Sequence, residues 1–279
     1  MTNYLEVKNL SKSFDSFQLH NINFTLPKGY IMGLIGPNGS GKTTTIKLIL
    51  NMLGRNSGEI KIMGLDNITD EQKAKAELGV VFDTNYFSDD WQVTQVEKSI
   101  SVFYPNWNSE RFAEMLRKFH IAPTKKVKEL SKGMQMKLML ACAFSYDAKL
   151  LILDEPTSGL DPSGAVLFRK IIEQESKKGT TVFVTTHNMV DADLLCDRVA
   201  FISNGNLVAL DTPKRLKEKN SNHRVVIDYL YQGQRETKTI EAPELEAGIP
   251  FAHDEIISIH SQEPTLEDMF IQYTGRGLS

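Results

Sequence analysis

The chain has 279 residues, of which 41% are hydrophobic and 24% are charged, and its formal net charge is −3. This length suits one large domain, or one large domain with a smaller one. The slightly acidic balance gives no support to nucleic acid as a partner, so none is expected. The longest apolar runs are far shorter than the roughly 18 residues of a membrane-spanning helix, so direct membrane insertion is not expected either.

The N-terminal part predicts strands on both sides of a glycine-rich loop. The segments NYLEVKNL, HNINFTLPKG and GEIKIMG alternate apolar and polar residues, as antiparallel strands do. By contrast, YIMGLIG (30–36) is a largely apolar run that leads into the loop, and the helix KTTTIKLILNML follows. Such a run is typical of a strand in a parallel sheet with both faces buried.

The middle of the chain predicts helices and two further buried strands. Residues from about 84 to 146 have mainly helical patterns, including SERFAEMLRKFH. The runs KLLILDEP (149–156) and TTVFVTTH (180–187) are apolar or β-branched and end on polar residues. Because ligands of parallel sheets bind beyond the carboxyl ends of the strands, these ends and the glycine-rich loop predict one shared site.

The C-terminal part predicts two hairpins and a change in sequence pattern. RVAFISNGNLVAL has Asn204-Gly205 at a predicted turn. From about residue 221, HRVVIDYLYQGQRETKTIE predicts a second hairpin, and IISIHSQEPTLEDMFIQY predicts a strand followed by a capped helix. The predicted domains are therefore 1–220 and a small accessory domain, 221–279. Both cysteines, Cys142 and Cys196, are expected to be buried reduced thiols.

The loop GPNGSGKT (36–43) matches the phosphate-binding pattern G-x-x-x-x-G-K-[ST] and lies between a strand and a helix, as the motif requires. Its glycines leave the backbone amides open to a phosphate. Lys42 is predicted to reach the β- and γ-phosphates, and Thr43 to ligate Mg²⁺. The residues predicted to bind the nucleotide here are Gly36, Pro37, Asn38, Gly39, Ser40, Gly41, Lys42, Thr43 and Thr44.

Two acids end the strand in KLLILDEP. An aspartate at the end of a buried strand beside a phosphate loop is the expected second contact to Mg²⁺, which is the role predicted for Asp154. Glu155 is predicted to polarise an attacking water as a general base. Together with Lys42, it predicts a catalytic site that hydrolyses the nucleotide.

The segment KELSKGMQMKLMLACAF (128–144) predicts a helix that begins after Ser131, a good N-cap residue. Its first turn contains Lys132 and Gly133, where Asp or Glu would complement the helix dipole better. A hydroxyl, a glycine amide and a lysine at the positive end of a helix predict a binding site for an anion.

The order of these motifs resembles the nucleotide-binding subunit of an ABC transporter over roughly residues 4 to 212. LSKGM (130–134) resembles the LSGGQ signature, SGLD (158–161) matches the D-loop, and His187 matches the switch histidine. The resemblance implies an α/β P-loop ATPase with a RecA-like core, an antiparallel β subdomain and a helical subdomain at about 84–146. The chain then ends in a small α+β extension. The implied cofactors are ATP and Mg²⁺.

The same resemblance implies two subunits, identical or different, that pair head to tail. The signature helix then caps the γ-phosphate of the ATP held by the partner subunit, through the Ser131 hydroxyl and the Gly133 amide. His187 is implied to contact the γ-phosphate as a catalytic residue. Asp161 of the D-loop is implied to belong to the nucleotide site.

Three positions are open to more than one interpretation. Phe14 is placed where the family stacks an aromatic ring on adenine, and Phe17 competes for that role. Asp83 replaces a glutamine that contacts Mg²⁺, and it is either a metal-sensing nucleotide contact or a solvated loop acid. Lys132 replaces a signature glycine, and Met134 a glutamine. The lysine either attracts phosphate or extends into solvent.

LSKGM and the ending PTLEDMFIQYTG (264–275) resemble bacterial ABC-2-type exporters of drugs, antimicrobial peptides or lipids, and FYPNW (103–107) resembles a branch linked to peptide export. The implied function is an ATPase at the cytoplasmic face of the membrane, bound there through separate permease subunits. The aromatic residues between 82 and 107 are expected partly to dock the permease and partly to pack the helical subdomain. The alternatives are a soluble ABC ATPase of translation, repair or assembly, and a regulatory nucleotide-binding protein.

Overall fold

The computed structural model describes residues 2–219, 224–241, 256–275 and 277. These residues form two units, one ending at Leu210 and one running from Asp211 to Gly277. The strands are β1 (Asn3–Ser13), β2 (Gln18–Pro27), β3 (Ile31–Ile35), β4 (Ser57–Ile62), β5 (Leu65–Asp66), β6 (Leu78–Val81), β7 (Leu150–Asp154), β8 (Thr181–Thr186), β9 (Arg198–Ser203), β10 (Asn206–Asp211), β11 (Arg224–Tyr231), β12 (Gln234–Glu241) and β13 (Ile256–Gln262). The helices are α1 (Lys42–Ile49), α2 (Glu71–Lys75), α3 (Val93–Ser101), α4 (Ser109–Lys118), α5 (Lys132–Ala143), α6 (Pro162–Lys177), α7 (Met189–Leu195), α8 (Pro213–Lys219) and α9 (Leu266–Thr274).

The main sheet of the first unit has the strand order β10-β9-β3-β8-β7-β6. Its strands from β9 to β6 pair in parallel. β3, β7 and β8 are buried along their whole length, because both faces of a parallel sheet are covered. The chain reverses after β9 at Asn204 and Gly205, whose φ angles of 47° and 72° are those of a two-residue hairpin turn.

A second sheet, β2-β1-β4-β5, is antiparallel, as the alternating segments predicted. Its inward apolar side chains share one core with Ile46 and Ile49 of α1. Phe24 of β2 stacks on Phe183 of β8, with ring centroids 5.4 Å apart. The two sheets are thus packed through a common core, which also fixes the start of α1, where the glycine-rich loop ends.

The helical segment predicted at about 84–146 contains α3, α4 and α5. α4 begins after Asn108, whose side chain accepts a hydrogen bond from the backbone N–H of Arg111 at 2.8 Å. The Arg111 guanidinium pairs with Glu175 of α6 at 2.5 Å, which joins this segment to the α/β layer. Cys142 and Cys196 are buried free thiols, as predicted. None of the helices in the described ranges is long and apolar enough to cross a bilayer.

The second unit contains an antiparallel sheet with the order β12-β11-β13 and the helices α8 and α9. α9 begins at a capping box, in which Thr265 and Asp268 each bind the backbone N–H of the other. The predicted hairpin and capped helix are therefore present. α8 belongs to this unit although it precedes residue 221, and the domain boundary at 220/221 stays a prediction.

Candidate active site

The glycine-rich loop follows the carboxyl end of β3 and leads into α1. Gly39 and Gly41 have φ angles of 77° and 113°, a left-handed backbone that glycine adopts without strain. A Cβ on Gly41 would lie 2.8 Å from Leu19 Cδ1, so packing also requires glycine there. The loop therefore combines a helix N-terminus with bare backbone amides, which is the arrangement that binds phosphate.

Lys42 is a buried cation at the first position of α1. Its ammonium donates to Gly36 O at 2.7 Å and to Pro37 O at 3.1 Å. It also lies 3.1 Å from Glu155 Oε1. Because burying an unpaired charge is costly, these oxygens hold the amine in place between the phosphate loop and the acid after β7.

Asp154 ends β7 and is 0% exposed. Thr43 donates a hydrogen bond to its Oδ2 at 2.8 Å, and Thr185 of β8 donates to Oδ1. Burial raises the pKa of Asp154; the two hydrogen bonds oppose that rise, and the charges of Asp83 and Glu155 add to it. Burial thus disfavours the ionised carboxylate, which a divalent cation would stabilise.

Glu155 has a φ of 48°, a left-handed conformation that costs a non-glycine residue about 1–3 kcal/mol. Two backbone hydrogen bonds hold it: its N–H donates to Thr185 O at 3.1 Å, and its C=O accepts from Ser158 N at 2.9 Å. The side chain is 13% exposed, with Oε1 beside Lys42 and Oε2 2.8 Å from His187 Nδ1. The carboxylate therefore stands between an ammonium and an imidazole.

A cavity of about 620 Å³ brings the predicted residues together, a size within the usual range of small-molecule sites. Its lining consists of Phe14, Ser16, Phe17, Asn38, Gly39, Gly41, Lys42, Thr43, Thr44, Asp83 and Glu155. The glycine-rich loop, Glu155 and Asp83 thus border one space.

The two candidate adenine-stacking rings have different surroundings. Phe14 is 43% exposed, and its ring is approached by Lys12 Nζ at 5.4 Å. Phe17 packs against the core, and its Cζ would lie 3.0 Å from a Cβ on Gly41. Both rings line the nucleotide cavity and Phe14 is the more exposed, so stacking of Phe14 on adenine stays a prediction.

Comparison with known proteins assigns this site to a family. Residues 19–158 match the family model described as ABC transporter. A fluoroquinolones export ATP-binding protein of Mycobacterium tuberculosis is 36% identical, over 94% of this chain and 89% of its own length. The chain belongs to the ABC transporter ATP-binding family.

Other members agree with this assignment. Nod factor export ATP-binding protein I of Sinorhizobium fredii is 31% identical, over 98% of this chain and 86% of its own length. A solved structure described as the ATP-binding subunit of an ABC transporter superposes with a TM-score of 0.72 at 26% identity, covering 77% of this chain and 92% of that one. This ABC subunit therefore binds ATP with Mg²⁺ and hydrolyses ATP to power transport. The predicted family, fold class, cofactors and ATPase activity are confirmed.

The residues at the carboxyl end of β7 in the ABC subunit fit a magnesium ion. Mg²⁺ prefers hard oxygen ligands, and Thr43 Oγ1 and Asp154 Oδ2 lie 2.8 Å apart. Asp83 is exposed and borders the same cavity, and its charge contributes to the raised pKa of Asp154. The predicted metal ligands thus lie together, and their individual roles stay predictions.

The signature of the ABC subunit lies against the D-loop of the same chain. Ser131 Oγ accepts a hydrogen bond from Met134 N at 3.3 Å, which confirms the predicted N-cap of α5. A Cβ on Gly133 would lie 2.5 Å from Gly159 O. Among the described residues that line the nucleotide cavity, none comes from the signature. Binding of Ser131 and Gly133 to a partner's ATP stays a prediction.

Asp161 of the D-loop is the N-cap residue of α6 and is also outside the lining of that cavity. Its carboxylate accepts hydrogen bonds from Lys137 Nζ at 3.2 Å and from Ser163 Oγ. Lys137 belongs to α5, so this ion pair is a second link between the signature helix and the D-loop.

The aromatic residues between 82 and 107 divide into two groups, as expected. Phe87 is buried, and Tyr104 stacks on Tyr146 with ring centroids 3.7 Å apart. Tyr86 and Phe103 are 54% and 76% exposed. The first group packs the helical segment, and the second remains at the surface.

Local sequence patterns did not predict the role of Thr185 or the pair formed by Arg169 and Asp191. The parallel register places Thr185 opposite Asp154. The polar end of TTVFVTTH is a signal for such a residue, but the register decides which threonine contacts the acid. Arg169 of α6 pairs with buried Asp191 of α7, two helices whose contact is not encoded in any local motif.

Proposed function

We propose that this subunit pairs head to tail with a second ATP-binding subunit and drives export through separate membrane permease subunits. The observation that carries the proposal is the Glu155 carboxylate, held between Lys42 and His187 on the wall of the nucleotide cavity. An acid in this position can accept a proton from water, which hydrolysis requires and nucleotide binding alone does not.

In the proposed reaction, Glu155 takes a proton from a water whose oxygen forms a bond to the γ-phosphorus. The bond from that phosphorus to the bridging oxygen of the β-phosphate breaks. The Lys42 ammonium stabilises the charge on the phosphate oxygens, and His187 orients Glu155 and contacts the γ-phosphate. Mg²⁺, which the oxygens of Thr43 and Asp154 would hold, neutralises phosphate charge when bound.

The head-to-tail pairing is supported by the position of the signature. Ser131 is exposed, and the amide of Gly133 lies in the first turn of α5, a helix of 12 residues. A helix N-terminus favours anions, yet this one does not border its own nucleotide cavity. We therefore infer that the phosphates it binds come from a second subunit, which is either a copy of this chain or a related one.

The permease contact is assigned to the exposed apolar side chains of the helical segment. Val102 and Phe103 are both 76% exposed, and Tyr86 is nearby in sequence and also exposed. Aromatic side chains are favoured as interface anchors. Docking through this surface would hold the subunit at the cytoplasmic face of the membrane.

We propose that the cargo is a drug, a peptide or a lipid-like molecule. The relatives that cover nearly the whole chain support this class, because they are described as exporters of fluoroquinolones and of Nod factor. The cargo-binding surface would belong to the permease.

The decisive test is the Glu155→Gln variant in ATP and Mg²⁺. Removing the base should stop hydrolysis and trap an ATP-bound dimer, which sedimentation detects as a doubled mass. Glu173→Gln, which changes an exposed glutamate of α6, is the matched control and should behave as wild type. A Glu155→Gln variant that stays monomeric in saturating ATP would contradict head-to-tail pairing of two copies of this chain.

A second experiment separates the exporter from a soluble ABC ATPase. The tagged subunit is purified from gently solubilised membranes of its own cell, and co-purifying proteins are identified. A stoichiometric polytopic membrane protein supports export. Recovery with ribosomes or repair factors, or from the cytosol alone, would refute the transport proposal while leaving the ATPase activity.

A further inference from the structure

Two residues of opposite charge border the same cleft. Asp83 lies two residues after the end of β6, and Lys132 is the first residue of α5. Both line a cleft of about 340 Å³, together with a second acid, Asp89. Asp83 also lines the nucleotide cavity, so its carboxylate borders both spaces.

The position of Lys132 is fixed by its surroundings. It is the first residue of α5, where a cation opposes the helix dipole and is unfavourable unless acids lie nearby. A Cβ on Gly159 would lie 3.7 Å from Lys132 Cδ, so the aliphatic stem rests on the D-loop. Among the described residues, no carboxylate lies within 4.0 Å of the ammonium, which is therefore not held in a fixed ion pair.

We propose that Asp83 and Lys132 are positioning residues that form an electrostatic couple between the nucleotide cavity and the signature of one subunit. In the nucleotide-free subunit, Asp83 attracts Lys132 across the cleft. When Asp83 faces a magnesium nucleotide instead, that attraction weakens, and the ammonium becomes available to phosphates held by the partner subunit.

This inference rests on the proposed head-to-tail function and deepens it. Each subunit's own nucleotide would prepare its signature to receive the nucleotide of the other. Because both residues are exposed and border the cleft, the couple should weaken as salt screens it, over a Debye length of about 8 Å at physiological ionic strength.

The test is a double-mutant cycle in the Glu155→Gln background, with Asp83→Gln, Lys132→Gln and both together. Glutamine removes each charge and keeps a polar side chain. The first readout is amide hydrogen exchange at residues 133–136 of the nucleotide-free subunit. Asp83→Gln leaves the cation opposing the helix dipole, so we expect it to raise the exchange rate at least about threefold when Lys132 is present and to have an effect at least about threefold smaller when Lys132 is also replaced. A double variant whose effect equals the product of the two single effects would overturn the couple.

The second readout is the ATP concentration that gives half-maximal dimerisation. We expect Lys132→Gln to raise it at least about threefold, because the partner's phosphates lose a cation. Asp83→Gln should lower this ATP concentration when Lys132 is present. When Lys132 is already replaced by glutamine, the effect of Asp83→Gln should be at least about threefold smaller. An equal effect of Asp83→Gln in both backgrounds also refutes the couple.

Lys128→Gln is the matched control, since Lys128 pairs with Asp90 at 2.7 Å and does not line the cleft. Lys128→Gln should change neither readout. If its effect were as large as that of Lys132→Gln, the loss of any positive charge would explain both results, and the proposed couple would be wrong. If the Glu155→Gln parent does not dimerise in ATP, the part of the proposed function that pairs two copies of this chain fails. The exchange measurement on the nucleotide-free subunit then still decides whether the couple exists.

Discussion

Replacing Gly133 with alanine should reduce ATP hydrolysis far more than it reduces stability. The added Cβ would lie 2.5 Å from Gly159 O, and that oxygen must retreat by about 0.5 Å or more for the contact to reach 3.0 Å. Overpacking of this kind costs about 1–3 kcal/mol. Alanine in place of glycine in a helix recovers about 1 kcal/mol. We therefore expect the free energy of unfolding to fall by only about 0–2 kcal/mol.

Catalysis should respond more strongly because the displacement separates the signature from the D-loop. A misplacement of about 1 Å can cost about 100-fold in rate. For the smaller shift at Gly133, we expect kcat/KM for ATP to fall about 10- to 100-fold, which corresponds to about 1.4–2.7 kcal/mol of transition-state stabilisation. Phosphate release at varied ATP concentration and urea unfolding of the same preparation measure the two effects.

Gly54→Ala is the control for this experiment. A Cβ on Gly54 would meet nothing within 4 Å, and its φ is outside the left-handed range, so alanine should be tolerated there in both assays. The steric argument is wrong if Gly133→Ala keeps more than about half of the wild-type rate, or if it loses more than about 3 kcal/mol of stability.

Three further predictions separate chemistry from folding. Because the pKa of Asp154 is raised by burial, its contribution to stability is fully present below its unfolded pKa of about 3.8 and is lost as the pH rises through the folded value. At pH 7, the urea midpoint of unfolding of Asp154→Asn should therefore equal or exceed that of the wild type, while its ATPase rate falls at least about 100-fold. A urea midpoint below that of the wild type would contradict this prediction. Phe14→Ala should raise the KM for ATP about 5- to 160-fold, because a base–aromatic stack is worth about 1–3 kcal/mol. Phe17→Ala should instead lower the melting temperature, and a rise in KM for Phe17→Ala alone would reverse this assignment. Arg169→Ala leaves the buried carboxylate of Asp191 without its cation, so the free energy of unfolding in urea should fall by about 3–5 kcal/mol. The double variant with Asp191→Ala should recover part of this loss. A loss below about 1 kcal/mol for Arg169→Ala would contradict this prediction.

Local patterns were sufficient for the elements of this fold that carry their own signals. The apolar runs of β3, β7 and β8 predicted a buried parallel sheet because their composition reflects two covered faces. Turn and cap chemistry predicted the hairpin at Asn204-Gly205 and the start of α5 after Ser131. The phosphate loop and the acids Asp154 and Glu155 at the end of β7 were likewise predicted, because each motif is short and contiguous.

What the sequence left open depends on how distant segments meet. The different exposure of Phe14 and Phe17 depends on packing, which the sequence does not encode locally. The contact of Gly133 with Gly159, and the cleft that Asp83 shares with Lys132, join segments that are far apart in the chain. The sequence alone allowed two interpretations of Lys132, and neither included an acid of the same subunit.

The ion pair between Lys42 and Glu155 has a consequence for the timing of the reaction. The Lys42 amine, which is to hold phosphate, lies 3.1 Å from the Glu155 carboxylate, which is to activate water. In the proposed mechanism, the arriving phosphate draws Lys42 away, and the same event leaves Glu155 free to accept a proton. In this mechanism, Glu155 stays paired with Lys42 until ATP binds. Water is therefore not activated before the nucleotide is present.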